Sequence, residues 1–503
     1  MEDEKVRIPL KKVPLQSERE EIKHKRNRRV LVSLLCVMLT LTGVLLGFGI
    51  SRLLSTPYVQ SFSSDKLSSI ETYLNTYWLY HNDYDDLKTA LEDKAYDGML
   101  SFEDDPYTSY MSSEEYSDFV SSIDKNYVGI GTIVSDNVGD GNIIVTHVFK
   151  NSPAEEAGML SGDLIVSVDG HDCLGTSIDY IKSLIVGEAG TDVNVTVFRN
   201  NEYYKLTMTR AAINSTVYAE IIDNQLVLNI MSFGTDTADE IISYLDSYPE
   251  YDSLIIDLRN NTGGYETSVR EVCGLFLGED KVILNEIFAD GSEKVLKSIC
   301  KKKYDFDKIV VLTNSNTASA AEVCTIALKE LHPNCIQVGE TTYGKGVVQS
   351  SYMLSDGSVI KITTSYWTSP DGLSFNKEGI VPDVEVKLDE VLTTGIYTLE
   401  EGKTLEYDDV DTVIKTAQMG LKYLGYDLDR TDGYFDKSFE EAVKLFQESI
   451  GHRADGILDK ETVDSIYNSI IYTFNSDYTK DAQLYKAIEL AGNKYALFYK
   501  YKG

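Results

Sequence analysis

The chain is poor in histidine, in paired cysteine and in positive charge, and each shortage closes a class of function. Of its six histidines, at 24, 81, 147, 171, 332 and 452, only His332 falls in the segment that carries the candidate chemistry described below, which disfavours a serine–histidine triad. The six cysteines, at 36, 173, 273, 300, 324 and 335, stand singly with no C-x-x-C. That spacing offers neither a zinc knuckle nor a disulfide scaffold and leaves buried free thiols as the expectation. Lys and Arg total 47 against 80 Asp and Glu, a formal net charge of -33. With no net basic surface to replace counterions, nucleic acid is excluded as a partner. What is there is an ordinary globular composition, 43% hydrophobic and 25% charged with 35 Gly and 9 Pro in 503 residues, enough for about three or four domains.

One long hydrophobic run is present, residues 30–50, VLVSLLCVMLTLTGVLLGFGI. As a helix it spans about 30 Å, the thickness of a bilayer core. Residues 1–29 hold ten Lys/Arg and six Asp/Glu, with Lys23, Lys25, Arg26, Arg28 and Arg29 crowded against the run, which predicts a cytoplasmic N-terminus. A cleaved signal peptide would have a shorter apolar core and a small-x-small site, and GISRLLSTPY has none. The expectation is a single-pass membrane protein whose remainder, at -37 after the tail's +4 is removed, is extracytoplasmic.

Beyond the run, residues 57–124 read as mainly helical, broken by DDPYTSY at 104–110. Residues 125–212 change to alternating strands with two short helices, a compact module of common domain size. In 213–390, apolar strands are each followed by a helix: LVLNIMSF before TADEIISYLDSY, SLIIDLR before ETSVREVCGLFLG, KIVVLTN before SAAEVCTIALKEL. That order predicts parallel βαβ units with a buried sheet, whose strand-to-helix turns favour a site. Residues 391–408 read as a linker, 409–470 as three short amphipathic helices with a repeated Asp-Gly loop (DGYF, DGIL), and 471–503 as a polar tail with one further helix.

Two turns and one loop in 213–390 are chemically unusual. In Asp257-Leu-Arg-Asn-Asn-Thr-Gly263-Gly264, a buried strand ends in a glycine pair whose N–H groups can approach a ligand closely. In Asn316-Thr-Ala-Ser319-Ala320-Ala-Glu322, a serine sits at a helix start, where backbone N–H groups can stabilise an oxyanion, although a plain helix cap reads the same way. The loop Gly344-Lys345-Gly346 with Gln349 four residues on shifts that balance. In a strand, positions i and i+4 share a face, so Lys345 and Gln349 are expected to point into one site with Gln349 holding the amine. The segment imitates a phosphate-binding loop, but Gly346 stands where Ser or Thr would bind magnesium, so nucleotide is rejected. A lysine whose pKa is lowered by burial can serve as base for a serine nucleophile.

Together these segments resemble the carboxyl-terminal processing, or tail-specific, proteases over about residues 60–390: DDPYTSYMSSEEY, YVGIG, DLRNNTGGY, NTASAAE, GETTYGKGVVQ, SDGSVIKITTSYWTSPDG and GIVPDVEV look like family signatures in order. The resemblance implies a crotonase-like peptidase core with an inserted β-rich PDZ domain; with the N-terminal transmembrane helix and the small C-terminal three-helix module read above, the expected fold is α/β multidomain. It implies a serine peptidase with Ser319 as nucleophile, Lys345 as general base and Gln349 positioning the lysine. The oxyanion hole would draw on Ala320 and on Gly263 or Gly264, and no metal or cofactor is expected. Departures are Thr262 for proline, Tyr343 for phenylalanine and Ala321 for serine, none of which removes a reacting group. Tyr127, Val128, Gly129, Ile130 and Gly131 match the PDZ loop that holds a substrate's terminal carboxylate, and 409–470 resembles a peptidoglycan-binding domain. The expected partners are proteins or peptides with accessible C-termini, the cytoplasmic membrane and peptidoglycan, with a homo-oligomer left open. The competing reading is a non-catalytic scaffold of PDZ and wall-binding modules, against which the joint retention of Ser, Lys and Gln argues.

Overall fold

The computed structural model describes residues 64–492 except 126, 137–142, 161, 174–175, 200–201, 214, 395–396, 398 and 401. The expected cytoplasmic tail, 1–29, and membrane segment, 30–50, lie outside the described residues. Among the described residues, no helix is long and apolar enough to cross a membrane. The chain divides into two compact units, 1–92 and 93–503. In the first, the helix Ser64–Tyr77 leads to a single turn, His81–Asp83, where the Trp78 ring sits 6.0 Å from Tyr80 and 5.5 Å from Tyr84.

The second unit is built on a six-stranded sheet in the order Val217–Ile222, Gln225–Ile230, Ser253–Asp257, Lys308–Thr313, Cys335–Gly339, Val384–Glu385. The first pair is antiparallel and every later pair parallel. Its strands are apolar on both faces because both are covered. Leu226, Leu228, Leu254, Ile256, Ile309 and Val311 pack on the helices Thr237–Ser247, Glu266–Leu277 and Ala320–Leu331. The alternate residues Val227, Ile255, Val310 and Leu312 face the other way, against Leu484, Ala487, Ile488 and Ala491 of the helix Ala482–Gly492. This alternation is the period-2 geometry of a strand filling two cores at once. The segment 471–503, read as a polar tail, therefore supplies the helix that closes the core's second face. Its polarity misleads because only one narrow stripe of that helix is apolar.

A second, antiparallel sheet joins Ser109–Met111, Val359–Thr368, Val282–Phe288 and Glu293–Lys297, with Val347–Met353 also paired to Val359–Thr368. Residues 127–213 form the inserted β-rich module, a sheet in the order Thr132–Asp136, Ile143–Val148, Leu164–Val168, Asp192–Arg199, Glu202–Thr209 with helices Pro153–Glu156 and Ile178–Ile185. A two-stranded ladder of Tyr127–Gly129 with Ala211–Ile213 ties its entrance to its exit.

The C-terminal helices Thr412–Tyr423, Lys437–Ser449 and Lys460–Ser476 each start at an aspartate, Asp411, Asp436 and Asp459, whose side chain caps the first turn. The internal repeat has a structural basis. The Gln418 amide accepts from Gly433 N–H at 2.9 Å and donates to Tyr434 C=O at 2.9 Å, and the Gln447 amide treats Gly456 and Ile457 in the same way. Each Asp-Gly loop is thus clasped by a buried glutamine. Residues 391–408 are not a linker. Val391, Leu399 and Leu405 are buried in this module's core, and Leu405 pairs with Leu458.

Candidate active site

The two unusual turns lie at the C-terminal ends of adjacent parallel strands and are stapled together. Ala318 N–H donates to Asn261 C=O at 2.9 Å and Thr317 Oγ1 to Leu258 C=O at 2.9 Å, while the Asn260 side chain accepts from Asn314 and Asn316. Asn261, fully buried, donates from its own amide to Ile230 C=O at 2.8 Å. Ser319 stands between turn and helix at φ +58°, a region that a non-glycine residue occupies only when its surroundings hold it there. Gly263 is pressed against it, and a Cβ at that position would lie 2.8 Å from the Ser319 Cβ.

What holds Ser319 is Glu322, a residue to which the sequence reading gave no part. Its buried carboxylate accepts from Ser319 N–H at 2.9 Å, Thr342 Oγ1 at 2.5 Å, Gly344 N–H at 2.7 Å and Lys345 N–H at 2.8 Å. One carboxylate therefore fixes both the serine turn and the lysine loop. Burial raises its pKa above the ordinary glutamate value, against the pull of those four bonds. The Ser-x-x-Glu spacing of a capping box was the signal that could have found it.

Ser319, Lys345, Gln349, Gly263 and Gly264 all line one cleft of about 610 Å³, so the structure brings the predicted reacting groups together. Burial lowers the Lys345 amine below the usual lysine value, the Lys361 ammonium pushes the same way and the Glu322 carboxylate opposes both. The amine rests 4.8 Å from the centre of the Tyr107 ring and makes no direct hydrogen bond to Ser319 in this state. Catalytic hydrogen bonds commonly tighten only when substrate is bound.

Two expectations are corrected. Lys345 and Gln349 do not share a strand face by the i, i+4 rule, because Lys345 precedes the strand Val347–Met353 and a bulge interrupts the pairing between Val348 and Gln349. The Gln349 amide donates to Thr363 Oγ1 at 3.3 Å, and Thr363 in turn donates to Asp105 of the DDPYTSY segment at 2.9 Å. Second, Gly263 N–H is taken by Asn261 Oδ1 at 2.8 Å, so of the three expected oxyanion donors Gly264 and Ala320 are the two whose N–H has no bonded partner among the described residues. Gly264 must itself be glycine, since a Cβ there would meet Phe233 C=O at 2.3 Å.

Behind the cleft, Arg259 is buried in a network. Its guanidinium binds Asp257 at 2.6 Å and, from the segment before the closing helix, Asp481 at 2.7 Å; burial works to lower its pKa, and the two carboxylates together overcome that and hold it above the ordinary arginine value. In the inserted module, Tyr127, Val128 and Gly129 are engaged in the ladder with residues 211–213. The turn into the sheet's edge strand is therefore Ile130 and Gly131 alone, packed on Ser152, where a Cβ on Gly131 would come within 2.3 Å of the serine Cβ.

The model of peptidase family S41 matches residues 224–386, that of the PDZ domain 144–199 and that of a peptidoglycan binding domain 411–466. The carboxy-terminal processing protease CtpA of Bacillus subtilis (strain 168) is 34% identical over 415 residues, 82% of this chain and 86% of the relative. CtpB of the same organism is 32% identical over 446 residues, 86% of this chain and 92% of the relative. Among solved structures, a photosystem II D1 C-terminal processing protease is 26% identical with a TM-score of 0.37, covering 64% of this chain and 86% of that one. The family models and the two Bacillus relatives define a serine-type protease with a PDZ domain. The chain belongs to the carboxy-terminal processing proteases of family S41.

Proposed function

We propose that this protein is a membrane-anchored endopeptidase acting outside the cytoplasm through a Ser319/Lys345 dyad on a crotonase-like core. The single observation that carries the reading is that Glu322 binds the backbone of both Ser319 and Lys345, so the strained serine and the desolvated amine are held at one cleft. Ser319 Oγ attacks the peptide carbonyl carbon as Lys345 takes its proton. The N–H groups of Ala320 and Gly264 receive the oxyanion, while Gly263 supplies only the space beside Ser319. Collapse of the intermediate expels the amine with the proton from Lys345, and water, deprotonated by the same lysine, hydrolyses the ester. Gln349 orients the lysine once substrate draws the amine away from Tyr107.

Substrate tails ending in a free carboxylate are delivered by the inserted module, through Ile130, Gly131 and the edge strand Thr132–Asp136. The run at 30–50 anchors the chain, and the module around 409–470 binds peptidoglycan. The test is cleavage of an unstructured protein by the full-length chain and by Ser319→Ala and Lys345→Ala in the presence of chelator. Loss of at least a thousandfold in both variants is expected, and undiminished cleavage by either would remove the dyad.

A further inference from the structure

The cleft differs electrostatically from the rest of the molecule. On a chain of net charge -33, four lysines, Lys125, Lys294, Lys345 and Lys361, line it, and among the described residues only Lys294 of these has an ion-pair partner. The cleft's carboxylates are already satisfied. Glu286 accepts from Ser365 at 2.6 Å and pairs with Lys294 at 3.3 Å, and Glu266 pairs with Lys294 and Arg270 at 3.4 Å each. Lys345 is accounted for by the reaction. Lys361 is not: its half-buried amine lies 4.9 Å from the centre of the Phe119 ring and makes no hydrogen bond or ion pair among the described residues. An aromatic face returns only part of the hydration such a group loses, and an anion would return far more.

Its place along the strand gives it a use. Lys361 lies two residues before Thr363, opposite Ser351, while Thr363 lies opposite Gln349. Positions i and i+2 share a face, so Lys361 stands on the same side as the partner of Gln349, about 7 Å along the strand from it. We propose that Lys361, assisted by Lys125, is a carboxylate-binding subsite of the protease cleft, selecting peptides that carry a negative charge within roughly two or three residues of the scissile bond. The carboxylate is either an acidic side chain or the terminus of a short leaving fragment. The inference rests on the Ser319/Lys345 reading. A local ammonium is what lets an otherwise acidic protein accept an acidic peptide, since the bulk surface repels it.

The test uses the full-length protein and one unstructured peptide made in three forms: glutamate near the cleavage site with a free terminus, glutamine in its place, and the glutamate form amidated. The wild type should favour carboxylate over its neutral isostere by about tenfold in kcat/KM, with the gap narrowing in high salt. In Lys361→Met that ratio should fall to about 1, whereas Lys361→Arg should keep most of it. Loss of the Glu/Gln ratio identifies a side-chain carboxylate, and loss of the free/amidated ratio identifies the terminus. Both ratios unchanged in an active Lys361→Met would overturn the subsite, as would a variant that shifts only the pH profile, since the lysine would then act solely on Lys345. Cleavage by Ser319→Ala equal to wild type would instead remove the dyad on which the inference rests.

Discussion

Replacing Glu322 by glutamine tests whether one carboxylate holds the site together. The side chain keeps its size, so the core around it need not collapse, but its four donors no longer find four acceptor positions. Oε2 now serves Ser319 N–H and Lys345 N–H, and Oε1 serves Gly344 N–H and the Thr342 hydroxyl. Whichever way the amide sits, its NH2 faces at least one backbone N–H, and the remaining bonds lose their charge assistance. Bonds to a charged group contribute about 1.5–3 kcal/mol against about 1 for neutral ones, and a buried donor left without a partner costs about 1–3 kcal/mol. Part of that is offset because the buried carboxylate itself carries a desolvation penalty, visible in its raised pKa. A net loss of about 3 kcal/mol in site geometry corresponds to a fall on the order of a hundredfold in kcat. Steady-state kinetics on the full-length chain read it, and KM should change little because Glu322 does not line the peptide cleft. The unfolding midpoint should drop only a few degrees. Retention of more than a third of wild-type kcat would show that the serine turn holds its shape without this carboxylate.

Because burial and the Lys361 charge both lower the Lys345 pKa, kcat/KM should rise with pH along a one-proton limb with its midpoint below the ordinary lysine value, as the amine loses its proton. A limb at or above 10.5 would refute this. The same shift carries a stability sign: a depressed folded-state pKa contributes stability that is present above the unfolded value and lost as pH falls through the folded one. Lys345→Met should therefore abolish cleavage while raising the unfolding midpoint at neutral pH, and a lower midpoint would contradict that. Asp481→Asn removes the charge opposite Arg259 and should lower kcat by roughly tenfold with KM unchanged; wild-type kcat would show that Asp257 alone keeps Arg259 in place. Gly131→Ala, which drives a Cβ into Ser152, should weaken binding of free-carboxylate peptides in calorimetry, and wild-type affinity would exclude this turn. Peptidoglycan sedimentation should retain the full-length chain and lose it on Gln418→Ala with Gln447→Ala, since both Asp-Gly loops then lose their clasp; unchanged retention would place any wall contact elsewhere.

The parts legible in the sequence were those written by local periodicity. The strands SLIID and KIVVLT announce themselves because they are apolar at nearly every position, and the helix Ala320–Leu331 begins where its cap residues say it should. Ser319 and Lys345 stood out by residue type beside glycines and a helix start, whereas Gln349 was reached through a strand spacing that the bulge does not obey. What could not be read was any property depending on which distant backbone consumes a given hydrogen bond. Gly263 and Gly264 are equivalent as letters, and only the Asn261 side chain separates them. A bulge of one residue at Gln349 leaves no mark in composition, yet it redirects the side chain toward Thr363. Lys361 sits in an alternating strand, where a lysine ordinarily signifies a solvated face. That it has no counter-ion among the described residues is a three-dimensional fact.

The C-terminal module, too, has a standing in three dimensions that its place in the chain does not show. Read linearly, it follows the protease and could be removed. In the structure, the chain leaves the core sheet after Val384–Glu385, forms the module, and returns as Ala482–Gly492 to cover the face presented by Val227, Ile255, Val310 and Leu312. Leu484 and Ile488 each bury most of a side chain there, about 1.5–3 kcal/mol apiece, so the returning helix is part of the protease core in energetic terms. Asp481, immediately before its first turn, reaches Arg259, while the preceding turn is gripped from the module, with Tyr423 Oη donating to Lys480 C=O at 3.2 Å and Lys480 Nζ donating to Tyr423 C=O at 3.0 Å. The module is thus an excursion from the catalytic core, held at both ends, and the contacts at its exit reach within four residues of the glycine pair beside Ser319. A ligand that strained the module would be felt first at Lys480 and Asp481, which is why truncation is a poor probe of wall binding and single substitutions on the module are the proper one.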